Sequence, residues 1–337
     1  MELTASGIVL GQAIGTVGLG WVYFRRWEIA RPPIGVFNLA DVLIMLGGIV
    51  LLPLLYLALP RWSVAGLLAL GALSALYVAL EPIVRSRALL WPLVVLAVAG
   101  EWAALARFGP ASPGYFLINN AVLVVGVVGV ANLWAQSGLK ARDAALLGAA
   151  LTVYDVVATS SLSLMGELFK RVAELSFAPI VGWTAGADGS WVAIGLGDLL
   201  LATVFPPVLR KAYGRAAGWG ALVIGSALIG AVFGLSALGG IGLFPVMAVL
   251  GPAMVLQYAW WARRRGRERT TRQYLEAEPP RGGSAAGPPA GGARPADRSD
   301  PMPRVIRPVT AVEIMAELAP LAPRRDRTSS AAGRRQA

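Results

Sequence analysis

The sequence predicts an all-α membrane protein, a polytopic bundle of nine transmembrane helices followed by a disordered C-terminal tail. Three observations predict it. The 337 residues are 56% hydrophobic and only 15% charged, with a mean hydropathy of +0.63, a composition suited to lipid rather than water. The apolar residues fall in repeated runs of about 20, the length a helix needs to cross hydrocarbon. Beyond Trp261 the apolar runs stop, and Arg, Pro and Gly take over.

The runs lie near 4–24, 34–58, 63–84, 88–107, 115–137, 143–165, 191–210, 217–238 and 241–261. The first ends in Arg25–Arg26 and reads as a spanning helix rather than a cleavable signal peptide. Charged or Pro/Gly breaks bound the others, such as "RKAYGRA" after the seventh. The longest connection, 166–190, contains "GELFKRVAELSF", whose Leu168, Val172, Leu175 and Phe177 suit a short amphipathic interfacial helix. The chain thus divides into 1–142 with spans one to five, 143–261 with spans six to nine, and the tail 262–337.

Loop cations set the orientation. With the N-terminus outside, the inward loops hold Arg25, Arg26, Arg31, Arg85, Arg87, Lys140, Arg142, Arg210, Lys211 and Arg215, against Arg61, Arg107, Lys170 and Arg171 outside. Ten against four favours N-out and C-in. Of the net charge of +11, +8 lies in 262–337, so the basicity belongs to the tail and argues against a nucleic-acid partner. There "ARRRGRERTTRQYLEAE" suits anionic headgroups of the lipid bilayer. "PPRGGSAAGPPAGGARPADRSDP" is disordered by composition, and "TAVEIMAEL" at 310–318 carries a capping box in Thr310 and Glu313. The Arg bias, with abundant Ala, Gly and Pro, points to a GC-rich bacterial genome and an inner membrane.

The chain has no histidine and no cysteine. Thiol nucleophiles, histidine bases and histidine metal sites are therefore excluded, and neither a cofactor nor a metal is implied. What remains for chemistry is a set of carboxylates inside the spans, each costly in hydrocarbon: Asp41, Glu101, Asp155 and Asp198. Asp41 can reach headgroups, and Glu101, near an outer end, can snorkel. Asp155 and Asp198 differ. Each lies 12 residues from the inner end of its span, counted from Asp143 and to Arg210, or roughly 18 Å at the helical rise. Antiparallel neighbours thus bring two carboxylates to one depth.

Two carboxylates facing each other in low dielectric cannot both be ionised, so the pair holds one shared proton near neutral pH. One member can then take a proton from water while the other polarises a scissile carbonyl. Directly before Asp198, Gly195 and Gly197 would let a substrate backbone approach, or would simply pack helices. Pro252, 11 residues before Arg263, falls roughly 16 Å from the inner boundary and so level with both aspartates. It either frees backbone groups toward a wet cavity or kinks its helix.

"YD" at Tyr154–Asp155, "GLGD" at 195–198 and "PAM" at Pro252–Met254 resemble, in order, the YD, GxGD and PAL motifs of the presenilin/signal peptide peptidase intramembrane aspartyl proteases. They fall on the sixth, seventh and ninth spans, as in that family, with Met254 where Leu is usual. The resemblance implies catalytic roles for Asp155 and Asp198 in cleaving transmembrane helices. It also implies that Tyr154, Gly195, Leu196, Gly197, Pro252, Ala253 and Met254 receive the substrate in extended form. The N-out orientation is that of the signal peptide peptidase branch, whose substrates are type II segments and which needs no partner subunit; a homo-oligomer stays compatible with the sequence. Three alternatives stand beside this. A prepilin-peptidase-like aspartyl protease usually has Lys where Leu200 stands. A transporter or proton channel could use the same aspartates as a relay, and an inactive homologue could serve as a scaffold.

Overall fold

A computed structural model describes residues 2–29, 39–84, 86–160, 171–186, 190–238, 246–271 and 273–274. Among them are nine α-helices: α1 (Glu2–Arg26), α2 (Leu39–Ala58), α3 (Arg61–Leu80), α4 (Arg87–Phe108), α5 (Pro113–Gln136), α6 (Ala141–Ser160), α7 (Leu196–Tyr213), α8 (Arg215–Ala237) and α9 (Met247–Arg265). Their order follows the nine apolar runs, and the all-α class holds. Six of them, α1 to α5 and α8, are long and apolar enough to cross a membrane by length and composition. The chain is a membrane protein on that ground.

One addition breaks the pattern. Strands β1 (Ile180–Thr184) and β2 (Trp191–Gly195) pair antiparallel between α6 and α7, with Val181 opposite Ile194 and Gly182 opposite Ala193. The seventh apolar run was expected to be helical from 191. Its first five residues, "WVAIG", are instead a strand, and the helix begins at Leu196. Aromatic and β-branched residues suit a half-buried strand, and hydropathy alone cannot tell a buried strand from the start of a buried helix. The interfacial helix expected over "GELFKRVAELSF" also fails beyond Val172. Residues 173–177 are turns, Phe177 has φ 59°, and Val172, Leu175 and Phe177 are buried rather than laid on a surface.

The main core gathers side chains from α1, α5, α6, α7, α8, α9 and the hairpin around α7. From Leu199 to Tyr213 nearly every residue of α7 is buried. Its C-terminal end, Arg210 and Lys211, is buried too, and the Lys211 ammonium donates to the carbonyls of Ala135 and Leu139 at 2.7 and 2.8 Å. Those two carbonyls stand at and just beyond the C-terminal end of α5, where backbone acceptors lack helical partners. Two cations counted as loop charges are thus inside the bundle, which leaves eight inward cations against four outward. The helices outside the set of six are α6, α7 and α9, and each carries charged side chains: Arg142, Asp143 and Asp155 on α6, Asp198, Arg210 and Lys211 on α7, and Arg263 to Arg265 on α9.

α6 and α9 cross at contact distance through small residues. A Cβ on Gly251 would overlap the Thr152 hydroxyl and stand 2.5 Å from the Gly148 carbonyl oxygen. Thr152 Oγ1 lies 2.8 Å from the Gly148 carbonyl and 2.9 Å from that of Met247, so its proton ties the two helices. Such small-residue crossings substitute close van der Waals packing for the hydrophobic effect that lipid does not supply. At the other extreme, α2 is nearly bare. It packs on the core through Val42, Met45, Leu46 and Ile49, chiefly at α6, and its other side is exposed. Past α9, Gly266 (φ 75°) ends the helix, and the Glu268 carboxylate accepts from the Ala141 N–H at the start of α6. The expected tail from residue 275 onward, "TAVEIMAEL" included, lies outside the described residues.

Candidate active site

Three helices converge on the two aspartates: α6 bearing Asp155, α7 bearing Asp198, and α9, each packed on the other two. Asp155 and Asp198 are half-buried, and the helices that carry them pack on each other. The helices between them and their inner ends are unbroken, so the roughly 18 Å rise from Asp143 to Asp155 and from Asp198 to Arg210 applies to both. The two carboxylates singled out in the sequence thus stand on helices that touch each other.

Their local settings differ. Asp155 is mid-helix, with Val153, Val156 and Val157 exposed on the same stretch of α6. Tyr154 beside it packs on the main core, and its hydroxyl is buried with no hydrogen-bond partner among the described residues. Asp198, by contrast, is not centred in an apolar helix. It is the third residue of α7, one turn from the strand end at Gly195, which is the helix N-cap. The first turn of a helix presents unpaired N–H groups and the positive end of its dipole, which is where a carboxylate is best tolerated. This resolves the oddity of an aspartate in "WVAIGLGDLLLATVF": the first third of that run is strand, and the carboxylate stands just past the junction.

The glycines around it are not equivalent. A Cβ on Gly195 would lie 3.3 Å from Asp198 Oδ2, closer than side chains normally approach. On Gly197, which is exposed, a Cβ would meet nothing within 4 Å. Leu196 between them packs on the main core.

Pro252–Met254 departs from its expected position. Gly148 faces Gly251 and Thr152 faces Met247, and continuing that antiparallel register puts the level of Asp155 just before the start of α9. Pro252 falls about two turns, or roughly 12 Å, nearer the inner end. Counting back from Arg263 misjudged its depth because α9 runs on to Arg265 and the two helices meet where small residues let them, not where their ends align. Met254 is buried against Gly148, Ala253 is half-buried and Pro252 is exposed. Met254 is therefore a packing residue of the α6–α9 crossing, while Val246 and Met247 come nearest the Asp155 level among described residues of α9.

Sequence reasoning missed the side chains that hold the hairpin. Asn119 and Asn120, both buried in α5, hydrogen-bond β1. Asn120 accepts from the Gly182 N–H at 3.1 Å and donates to the Gly182 carbonyl at 2.8 Å, while Asn119 donates to Ile180 O at 3.0 Å. The signal was present as two amides in the middle of an apolar run. Glu101 was also misjudged. It is fully buried, not snorkelling, and accepts from the Phe177 N–H at 3.3 Å, pinning the turn that leads into β1.

Among the described residues no group of three or more His, Cys, Asp or Glu side chains could hold a metal ion. No protein-family model matches the chain, and no curated protein matches it.

Proposed function

We propose that the chain is an intramembrane aspartyl endopeptidase of the presenilin/signal peptide peptidase kind, hydrolysing peptide bonds within transmembrane helices. The observation that carries this reading is that Asp198 stands directly after a strand, on a helix packed against the one that bears Asp155. Asp155 acts electrostatically on Asp198 in a histidine-free, cysteine-free chain, and a strand whose Ala193 and Gly195 N–H meet no hydrogen-bond partner among the described residues leads straight to Asp198.

In the mechanism the dyad holds one proton. The ionised carboxylate takes a proton from water as the oxygen adds to the scissile carbonyl carbon, and the protonated carboxyl gives its proton to the carbonyl oxygen. The resulting gem-diol collapses when the amide nitrogen accepts the dyad's proton, the C–N bond breaks, and one gem-diol hydroxyl returns its proton to the dyad as the product carboxyl forms. The dyad ends as it began, with one proton.

A transmembrane helix must unwind before its carbonyls can be reached, and β2 offers the unwound segment a place to pair. In the antiparallel register the backbone groups of Ala193 and the N–H of Gly195 point away from β1, and an added strand takes such an edge through main-chain hydrogen bonds. Lateral access fits the bare side of α2 and the exposed valines of α6 near Asp155. Substrates are type II segments if the orientation is N-out and C-in in a bacterial inner membrane.

The test is incubation of the purified protein with synthetic single-span peptides, alongside Asp155→Asn and Asp198→Asn. Cleavage by the wild type that either substitution abolishes supports the reading. Proton flux without cleavage would assign the aspartates to a transport relay instead.

A further inference from the structure

We propose that Asn120 is a positioning residue for cleavage: from α5 it closes one edge of the β1–β2 hairpin, leaving β2 as the edge that receives substrate and fixing its height against Asp198. This inference rests on the protease reading and adds to it a residue on a helix that carries neither aspartate.

The hairpin has two outer edges. On β1, alternation of the ladder turns the backbone groups of Ile180, Gly182 and Thr184 outward. Two of those positions are occupied from α5: Ile180 O by Asn119, and both the N–H and the C=O of Gly182 by Asn120. The double bond to Gly182 reproduces what a neighbouring strand would make, so a side chain stands in for a third strand. Gly182 admits this closeness, because a Cβ there would lie 2.8 Å from the Phe116 ring. The Gln12 side-chain oxygen accepts a further bond from Asn120 Nδ2 at 2.9 Å, which fixes the plane of the amide. On the far edge, Ala193 and the N–H of Gly195 meet no hydrogen-bond partner among the described residues.

The asymmetry has a functional consequence. An amide buried in apolar surroundings is costly unless bonded, so the Asn120–Gly182 pairing resists exchange with another strand. Substrate is thereby directed to β2, and only two residues separate Gly195 from Asp198. A hairpin held at one height sets which substrate bond meets the dyad; a hairpin free to shift by a residue pair would offer several.

The test uses whichever synthetic single-span peptide the full-length wild type cuts, with rates normalised to sites labelled by a transition-state-analogue probe. Asn120→Ala and Asn120→Asp are each expected to raise KM about tenfold, the weight of one or two hydrogen bonds, and to spread cleavage over neighbouring bonds. If Asn120→Ala leaves no labelled protein, Gln12→Leu, which frees the amide to turn without removing it, is read for the same two changes. A wild-type KM and an unchanged product set per labelled site would overturn the inference while leaving the protease reading intact. A wild type that cuts no peptide would overturn the protease reading and the inference with it.

Discussion

Gly195 and Gly197 both precede Asp198, and the geometry separates their roles. Gly195→Ala sets a methyl 3.3 Å from Asp198 Oδ2, so the carboxyl must turn from its position. Gly197→Ala meets nothing within 4 Å, and alanine is the better helix former by about 1 kcal/mol at most. Thermal unfolding of Gly197→Ala is expected to match or exceed the wild type. Its cleavage rate should nonetheless fall at least about tenfold if substrate backbone passes over that position, about 1.4 kcal/mol of lost transition-state binding. Unchanged cleavage would return Gly197 to a residue of no catalytic consequence. At this scale the sequence was legible for the two aspartates, because a carboxylate in an apolar run is conspicuous. For Asn119 and Asn120 the two amides were visible but their role was not, because their partner, β1, lies about 60 residues away.

Among the elements, the nine helices followed from runs of apolar residues, and the hairpin did not. Here the β1 edge takes its bonds from amide side chains on α5 that no local strand pattern announces. The misplacement of Pro252 has a related cause. Equal depth was inferred from helix ends, whereas the register of α6 on α9 is set by Gly148, Thr152 and Gly251. That crossing gives a stability prediction. Gly251→Ala would force the helices apart at the Gly148 carbonyl and the Thr152 hydroxyl, costing about 1–3 kcal/mol as overpacking does. It should lower the thermal midpoint, whereas Pro252→Ala, at an exposed position, should not. An equal fall for both would contradict the register drawn between α6 and α9. Lys211→Ala is expected to destabilise by a similar amount, since it strips two buried carbonyls of their donor.

Across the whole molecule, the six most apolar helices and the three more polar ones divide the labour of facing lipid and building a site. α2 exposes most of its surface, while α7 is wrapped almost completely from Leu199 onward. A hydropathy scan reads the first kind well and the second poorly, because a helix surrounded by protein can carry Asp198, Arg210 and Lys211 at no cost in lipid. Orientation rests on the loop cations, of which eight inward ones remain once Arg210 and Lys211 are set aside. The chain contains no cysteine, so single cysteines at residue 2 and in the segment after Arg265 can be labelled from either side in inverted and right-side-out vesicles. The N-out, C-in orientation predicts outside labelling at residue 2 and inside labelling after Arg265; the reverse pattern would remove the type II substrate assignment. The central claim, that Asp155 and Asp198 act as one hydrolytic pair, is tested most directly by cleavage of a single-span peptide by wild type, Asp155→Asn, Asp198→Asn and the double variant. The account predicts that each single substitution abolishes cleavage as completely as the double one, since neither carboxyl can do the chemistry alone. Substantial cleavage by either single variant would contradict it.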